Sequence, residues 1–476
     1  MSSETADLCL TPAVELAALL RRRAVSAVEL TRAHLERIER YDGDVTAVVT
    51  RVPERALEQA GRVDAAISAG EDVGPLAGLP VAHKDTHDTA GIRTTYGSRL
   101  FADHVPDADA AVIARLRDAG VVSLGKTNVP EFAAGSHTFN EVFGTTRNPY
   151  DLSRSAGGSS GGAAAAVACG MTALADGSDM GGSLRNPASF CNVVGLRTTP
   201  GRVPSFPEAE VWATMSVPGP MGRTVADVAL MLSAMAGPHP RSAIALPEPG
   251  TGFAAPLAQD LAGLRCAWAP DLGGQVAVDT DVMAALEGCP DVFEQLGCAV
   301  EAACPDLSGA HEVFTTVRAH QFASSLGPLH DAHPGALKAS LAWNIELGRS
   351  VGRADLLQAR ARHEQVRRRV DSFFDRYDVL LAPVSQVAPF DALIEYPRTV
   401  AGQPMQTYLD WMRSCYLISV TGCPALSVPA GFTPGGLPVG LQVIGPRGGE
   451  LRVIRAGYAF EQATSVGTRR PGLLAH

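Results

Sequence analysis

The chain has 476 residues, of which 46% are hydrophobic and 19% charged, and its net charge is −10. This net negative charge disfavours non-specific binding to nucleic acid or to an anionic membrane surface. Nine cysteines without Cys-x-x-Cys spacing favour reduced thiols in a cytoplasmic protein. A bridge between Cys298 and Cys304 is the less favoured alternative. The first ten residues lack a signal-peptide pattern, and no apolar run reaches the roughly 20 residues that span a bilayer.

The N-terminal segment, 1–70, has the apolar periodicity of helices. Thr11 is a candidate N-cap for the first of them. Ser26 followed by Glu29 predicts a capping box that opens a helix running to Ile38. Another helix is predicted over residues 53–67.

From Gly74 onward, short apolar runs alternate with amphipathic ones. A strand is predicted at 76–83, a helix at 108–119 and a strand at 121–124. This alternation is typical of an α/β sheet that helices cover on both faces. It continues as a buried helix at 159–169, strands at 173–175 and 193–196, and a helix at 224–235.

The second half of the chain carries fewer signals before it returns to sheet. A strand is predicted at 264–268, a helix at 279–296, and exposed helices over 310–375 that could cap a site. Strands at 379–382, 425–428 and 441–444 and a helix at 451–463 complete the pattern. We therefore predict one α/β domain over 1–476 with a mixed central sheet. Its parts are N-terminal helices (1–70), a catalytic core (74–237), a more variable, largely helical insertion (238–375) and a C-terminal part that completes the sheet (376–476).

Two serines, Ser159 and Ser183, each lie in a glycine-rich turn. A serine hydroxyl is a poor nucleophile and needs a base. Glycines let successive backbone amides converge on one anion, as the oxyanion of acyl transfer requires. For Ser183 alone, an ordinary turn with a solvated serine would be the simpler interpretation. Around Ser159, a phosphate-binding loop is disfavoured because the lysine and Ser/Thr of a Walker motif do not follow.

Lys84 follows an apolar strand, where burial would lower the pKa of its amine and make it a base near neutral pH. The alternatives are a lysine that reaches the surface or pairs with Asp85 or Asp88. His83 and His87 flank it, and we expect surface or packing roles for them. A zinc site from these two would need a helix, whereas the local pattern predicts strand and turn, so no metal is predicted.

These motifs, taken in order, resemble the amidase signature family. The similarity runs from about Gly74 to Arg202 and resumes on both sides of residues 238–375. Its most specific parts are Gly125-Lys126-Thr127-Asn128, Gly157-Gly158-Ser159-Ser160-Gly161-Gly162, Gly177-Ser178-Asp179-Met180-Gly181-Gly182-Ser183-Leu184-Arg185 and Pro424-Ala425-Leu426-Ser427-Val428-Pro429. The resemblance implies the family's fold and the hydrolysis of amides by a Ser–Ser–Lys set, without a cofactor.

The resemblance also assigns roles position by position. Lys84 would be the base, Ser159 the bridging serine with a cis peptide before it, and Ser183 the acylated nucleophile. The oxyanion amides would be those of Met180, Gly181, Gly182 and Ser183, and the structural supports Asp179, Arg185 and Ser160. Departures from the family at Thr86, Asn192 and Thr198 affect none of the three catalytic positions but weaken inference about the substrate.

Family analogy places the pocket near Phe132, Ser136, His137 and Trp212 and on the helices of residues 310–350. Three aromatic residues there, Phe314, Phe322 and Trp343, suggest a hydrophobic or aryl acyl group, although such residues are more often core. A homodimer is the ordinary expectation for an enzyme of this class.

The function predicted from the sequence is an amidase that converts a linear carboxylic amide to an acid plus ammonia or an amine. The first alternative is the glutaminase component of a tRNA-dependent amidotransferase, its A subunit. That branch usually has an aspartate about twelve residues before the equivalent of Pro424, where this chain has Met412, with Asp410 only near it. A stand-alone hydrolase is therefore favoured. A non-catalytic binding protein on the same scaffold is a further alternative, which the intact Ser–Ser–Lys set disfavours.

Overall fold

An eleven-stranded mixed β-sheet runs through the computed structural model, which describes residues 8–207, 210 and 213–475. The strands are β1 (Val48–Arg51), β2 (Pro80–Lys84), β3 (Val122–Thr127), β4 (Leu174–Asp179), β5 (Val194–Arg197), β6 (Val217–Gly222), β7 (Arg265–Trp268), β8 (Ala299–Ala302), β9 (Val379–Pro383), β10 (Ala425–Phe432) and β11 (Pro438–Ile444). Their spatial order is β1-β3-β2-β4-β6-β5-β10-β11-β9-β7-β8.

Two parallel groups lie in this sheet with antiparallel strands between and beside them. Strands β3, β2 and β4 are mutually parallel, and so are β9, β7 and β8. The pairs formed by β6, β5, β10 and β11 are antiparallel, as is the edge pair β1 and β3. The sheet is therefore mixed, which confirms the predicted fold class.

Helices flank the sheet and form one domain with it. They are α1 (Ala13–Arg21), α2 (Ala27–Val45), α3 (Pro53–Ala69), α4 (Ala111–Asp118), α5 (Gly161–Ala168), α6 (Arg185–Phe190), α7 (Val225–Met235), α8 (Thr280–Leu286), α9 (Cys289–Gln295), α10 (Ala310–Ala332), α11 (Ala339–Arg349), α12 (Arg353–Phe374), α13 (Arg413–Thr421) and α14 (Glu450–Thr464). Among the described residues, none of the helices has the length and apolar character needed to cross a membrane.

Local sequence determines some helix starts and tertiary contacts determine others. Ser26 and Glu29 form the predicted capping box of α2. The prediction that Thr11 caps the first helix is wrong, because α1 begins at Ala13 with Pro12 in the N-cap position. The buried carboxylate of Asp227, distant in sequence, instead accepts a hydrogen bond from the N–H of Val14 at 3.0 Å.

The segment predicted as a largely helical insertion, 238–375, also carries two strands of the sheet, β7 and β8. The helix predicted over 279–296 is two helices, α8 and α9, which meet at Gly288. Pro290 in the first turn of α9 explains the break, because it cannot continue the preceding helix's hydrogen bonding. Strand β6 has two prolines and two glycines in six residues, so its sequence gives no strand signal.

Helix α5 is made of glycine, alanine and valine and is wholly buried. A Cβ atom on Gly162 would lie 2.3 Å from the backbone nitrogen of Asn128, so only glycine permits this close approach. The small residues let α5 pack against the polypeptide that follows β3. This contact fixes the start of α5, and with it the turn that carries Ser159.

Candidate active site

Lys84 ends strand β2, and Ser178 lies one residue before the end of the parallel neighbour β4. Parallel strands place their carboxyl ends at the same edge of a sheet, so the two residues meet there. Lys84 is fully buried. Its Nζ lies 2.8 Å from Ser159 Oγ, 3.0 Å from Ser178 Oγ and 3.3 Å from the Ser178 carbonyl oxygen.

Burial lowers the pKa of the Lys84 amine to about 7, although Asp179 and Asp176 oppose the shift. A neutral amine has two N–H donors and one lone pair. The two oxygens of Ser178 are acceptors for the N–H groups, which leaves the lone pair for the hydroxyl proton of Ser159. The contacts of Lys84 thus match a base that is neutral near pH 7 and aimed at Ser159.

Ser178 is a site residue that sequence reasoning missed. Its position inside the Gly177-Ser178-Asp179 motif was visible, but its contact with Lys84 depends on the pairing of β2 with β4. Because it accepts hydrogen bonds from Lys84, Ser178 positions the side chain of the predicted base.

Removal of the Ser178 hydroxyl should misplace the base. We expect Ser178→Ala to lower kcat/KM about tenfold, the worth of one hydrogen bond, and to move the acid limb of the pH profile to lower pH. The acid limb moves because the Ser178 hydroxyl oxygen stabilises the charged amine of Lys84 more than the neutral amine, so its removal lowers the pKa of Lys84. Ser178→Thr keeps the hydroxyl and should retain both the rate and the limb. A rate loss with an unmoved limb would indicate a merely structural role.

Ser159 lies at the end of the glycine-rich turn before α5, and it is almost wholly buried. The Gly158–Ser159 peptide bond is cis, as the family resemblance implies. The neighbouring Ser160 donates its backbone N–H to the Ser183 carbonyl oxygen at 3.2 Å. Ser160 therefore ties the two serine turns together through its backbone, which supports the structural role expected of it.

Ser183 lies in the turn between β4 and α6 and is 9% exposed. The predicted oxyanion set needs one correction, because the N–H of Gly182 donates to Asp179 Oδ1 at 3.0 Å. In the described part of the chain, the N–H groups of Met180, Gly181 and Ser183 have no such partner. These three amides remain for an oxyanion beside Ser183.

Asp179 and Arg185 form a buried ion pair behind this turn. Arg185 Nε and Nη2 lie 3.0 and 2.8 Å from the two Asp179 carboxylate oxygens. Burial alone would raise the pKa of Asp179, but Arg185 and Arg197 hold it well below its usual range. Because Asp179 also binds the amides of Gly182 and Leu184, the pair fixes the turn's backbone.

His83 and His87 both bind the carboxylate of Asp176. His83 Nδ1 lies 2.6 Å from one carboxylate oxygen of Asp176, and His87 Nδ1 lies 2.7 Å from the other. The backbone N–H of Lys84 donates to the same carboxylate at 3.1 Å. Asp176 therefore anchors the end of β2 that carries Lys84. Within the residues the structure describes, no group of three or more His, Cys, Asp or Glu side chains has an arrangement that could hold a metal ion.

A chamber of about 100 Å³ contains both Ser159 and Ser183 in its wall. It shares Phe132, Ser178 and Met180 with a larger cavity of about 840 Å³. The remaining large side chains on the chamber wall are Phe314, Arg318, Phe322 and Met412. The chamber is thus mostly apolar around the two serines.

The predicted pocket residues divide into four groups. Phe132, Phe314 and Phe322 line the chamber. Ser136 and His137 do not, because Ser136 Oγ donates to the Gly158 carbonyl and His137 bonds to Ser155 and Ala392. Trp343 borders a separate groove and is 40% exposed. Trp212 lies outside the described residues.

Comparison with known proteins gives matches along nearly the whole chain. The family model described as Amidase matches residues 29–454. The A subunit of glutamyl-tRNA(Gln) amidotransferase from Moorella thermoacetica is 39% identical, over 98% of this chain and 99% of that protein. Among solved structures, a bacterial aryl acylamidase of the amidase signature family has a TM-score of 0.91 and 29% identity, over 97% of this chain and 99% of the other. The A subunit of the amidotransferase from Thermotoga maritima has a TM-score of 0.73 and 29% identity, over 92% and 91%.

Proposed function

The chain belongs to the amidase signature family, and we propose that it is a stand-alone amidase that hydrolyses a linear carboxylic amide to an acid plus ammonia or an amine. The observation that carries the chemistry is the buried contact of 2.8 Å between Lys84 Nζ and Ser159 Oγ, beside Ser183 in one chamber. The nine free cysteines support a cytoplasmic location as part of the proposal.

The proposed reaction begins when neutral Lys84 takes the hydroxyl proton of Ser159. Ser159 in turn takes the proton of Ser183, whose Oγ attacks the amide carbonyl. The amides of Met180, Gly181 and Ser183 would stabilise the oxyanion. The relay then returns a proton to the leaving nitrogen, and an ester of Ser183 remains. Water repeats the path, releases the acid and restores the hydroxyl.

The second candidate is the glutaminase component of an amidotransferase, and sequence similarity to the curated relatives favours it. The chamber supports the stand-alone enzyme instead. Met412, which stands where that branch usually has an aspartate, lines the chamber beside Gly181. Asp410 lies on another groove, and its carboxylate binds Thr407. Free glutamine would therefore place its ammonium group against a thioether, without a carboxylate partner.

A substrate comparison separates the two candidates. We expect the purified chain alone to hydrolyse the best amide without an ammonium group with a kcat/KM at least about a hundredfold above that for glutamine. Met412→Asp should narrow this ratio, whereas Met412→Leu, the matched apolar control, should leave it unchanged. The stand-alone proposal fails if glutamine is the best substrate and if added amidotransferase partner proteins raise its hydrolysis.

A further inference from the structure

Arg318 is a charged side chain on the chamber wall that the proposed mechanism does not use. It lies on α10 and is only 4% exposed. Its Nη1 donates a hydrogen bond to Asn344 Oδ1, and its guanidinium carbon lies 4.1 Å from the ring centroid of Phe322 and 5.4 Å from that of Tyr408. All of these partners are uncharged.

The charge of Arg318 has no counter-ion in the part of the chain that the structure describes. Among the described residues, no carboxylate lies within ion-pair distance of it, although other buried arginines such as Arg185 and Arg197 share Asp179. Two carboxylates of this region have other partners: Glu131 accepts a hydrogen bond from the backbone N–H of Lys338, and Glu395 accepts one from Ser340 Oγ. A buried cation without an anion is destabilising, because it loses its hydration and gains no ion pair that would compensate.

The chamber offers a reason for the missing counter-ion. Arg318 lines it together with Ser159 and Ser183. A guanidinium has five N–H donors in a planar fork that suits a carboxylate, and only part of that fork is occupied here. An anion that entered the chamber with the substrate would complete the pairing next to the nucleophile.

We propose that Arg318 binds a carboxylate of the substrate, so that the preferred substrates are amides that carry a second, ionised carboxyl group. This inference rests on the proposed function and specifies its substrate class. Because Arg318 lines the same small chamber as Ser159 and Ser183, the spacer between the two groups is limited to a few carbon atoms. Monoamides of short dicarboxylic acids have this chemistry. Glutamine has it too, but adds an ammonium group that finds no carboxylate among the described residues that line the chamber.

The test uses matched pairs of amides on the whole enzyme. The monoamides of malonic, succinic and glutaric acid are compared with 3-methylbutanamide, 4-methylpentanamide and 5-methylhexanamide, in which an isopropyl group replaces the carboxylate. We expect the best carboxylated amide to exceed its isostere about a hundredfold in kcat/KM, as a charged bidentate contact provides.

Variants assign this preference to the arginine. Arg318→Gln should reduce the ratio of carboxylated to isosteric amide about a hundredfold, and Arg318→Lys should retain part of it. Arg413→Gln is the matched control, because Arg413 borders a separate groove and pairs with Asp410. It should leave the ratio unchanged. The proposal for Arg318 would be overturned if the wild type hydrolysed the carboxylated amides and their isosteres equally well, or if Arg318→Gln left the ratio between them unchanged. Hydrolysis of either kind of amide would still support the proposed function.

The affinity of the enzyme for these ligands tests the carboxylate site at Arg318 without turnover. In Ser183→Ala enzyme, which cannot turn the ligands over, calorimetry compares glutaric monoamide with 5-methylhexanamide, and repeats the comparison with Arg318→Gln added. Tighter binding of glutaric monoamide that the second substitution abolishes supports the carboxylate site, even if no amide is hydrolysed and the proposed function fails. Equal binding of the two amides contradicts it. Faster hydrolysis of glutamine than of glutaric monoamide would show that an ammonium group is recognised, and would also contradict it.

Discussion

Ser183→Ala is expected to lower kcat by at least about four orders of magnitude, with KM little changed. Loss of the nucleophile in a serine hydrolase removes nearly all catalysis, and only the residual effect of binding and of the oxyanion amides remains. Initial rates of ammonia or amine release, followed with the best amide of the panel, measure the effect.

Ser189→Ala is the matched control for this experiment. Ser189 lies on α6, six residues beyond the nucleophile, and is also buried. Its Oγ accepts the N–H of Gly440 at 2.8 Å and lies outside the chamber. The control should lose stability but keep its rate, since it removes a buried hydroxyl without touching the relay. A Ser183→Ala enzyme within tenfold of the wild type would place the nucleophile elsewhere.

Lys84→Met should lower kcat/KM by roughly three orders of magnitude, within the range attributed to a positioned general base. The wild-type enzyme should show the corresponding pH dependence. Because the pKa of Lys84 is lowered to about 7, the neutral base is present above that pH and is lost below it. The value of kcat/KM should therefore be level above pH 7 and fall tenfold for each unit below it.

Lys126→Met provides the control for a second buried lysine. Burial lowers the pKa of Lys126 to about 8, and its Nζ lies 2.8 Å from Thr89 Oγ1 rather than near the serines. This variant should be less stable but should retain an acid limb near pH 7. If Lys126→Met removed that limb, or if Lys84→Met kept substantial activity, Lys84 would not be the base.

The three catalytic candidates were predictable because their chemistry needs local sequence. The turns at Ser159 and Ser183 require glycines, and Lys84 follows a short apolar strand, so each leaves a motif in the sequence. Most strands of the central sheet, and most of the helices that flank it, likewise correspond to predicted elements. Strand β6 was not predicted, because its prolines and glycines are residues that strands disfavour.

Other site features follow from tertiary packing, which a single sequence does not encode locally. Ser178 reaches Lys84 only because β2 and β4 pair in parallel. The amide of Gly182 is occupied because Asp179 turns back onto the same loop. Arg318 enters the chamber because α10 packs over it, and nothing in its helical neighbourhood distinguishes it from a surface arginine.

The most direct test of the relay is covalent labelling of the purified protein with a fluorophosphonate, in which a serine Oγ attacks phosphorus and displaces fluoride. Mass spectrometry of the digested protein then identifies the modified residue in the wild type and in Lys84→Ala, Ser159→Ala and Ser183→Ala. We predict modification at Ser183 alone, much slower in the Lys84 and Ser159 variants and absent in the Ser183 variant. Modification of another residue, or labelling that survives Ser183→Ala, would contradict the account.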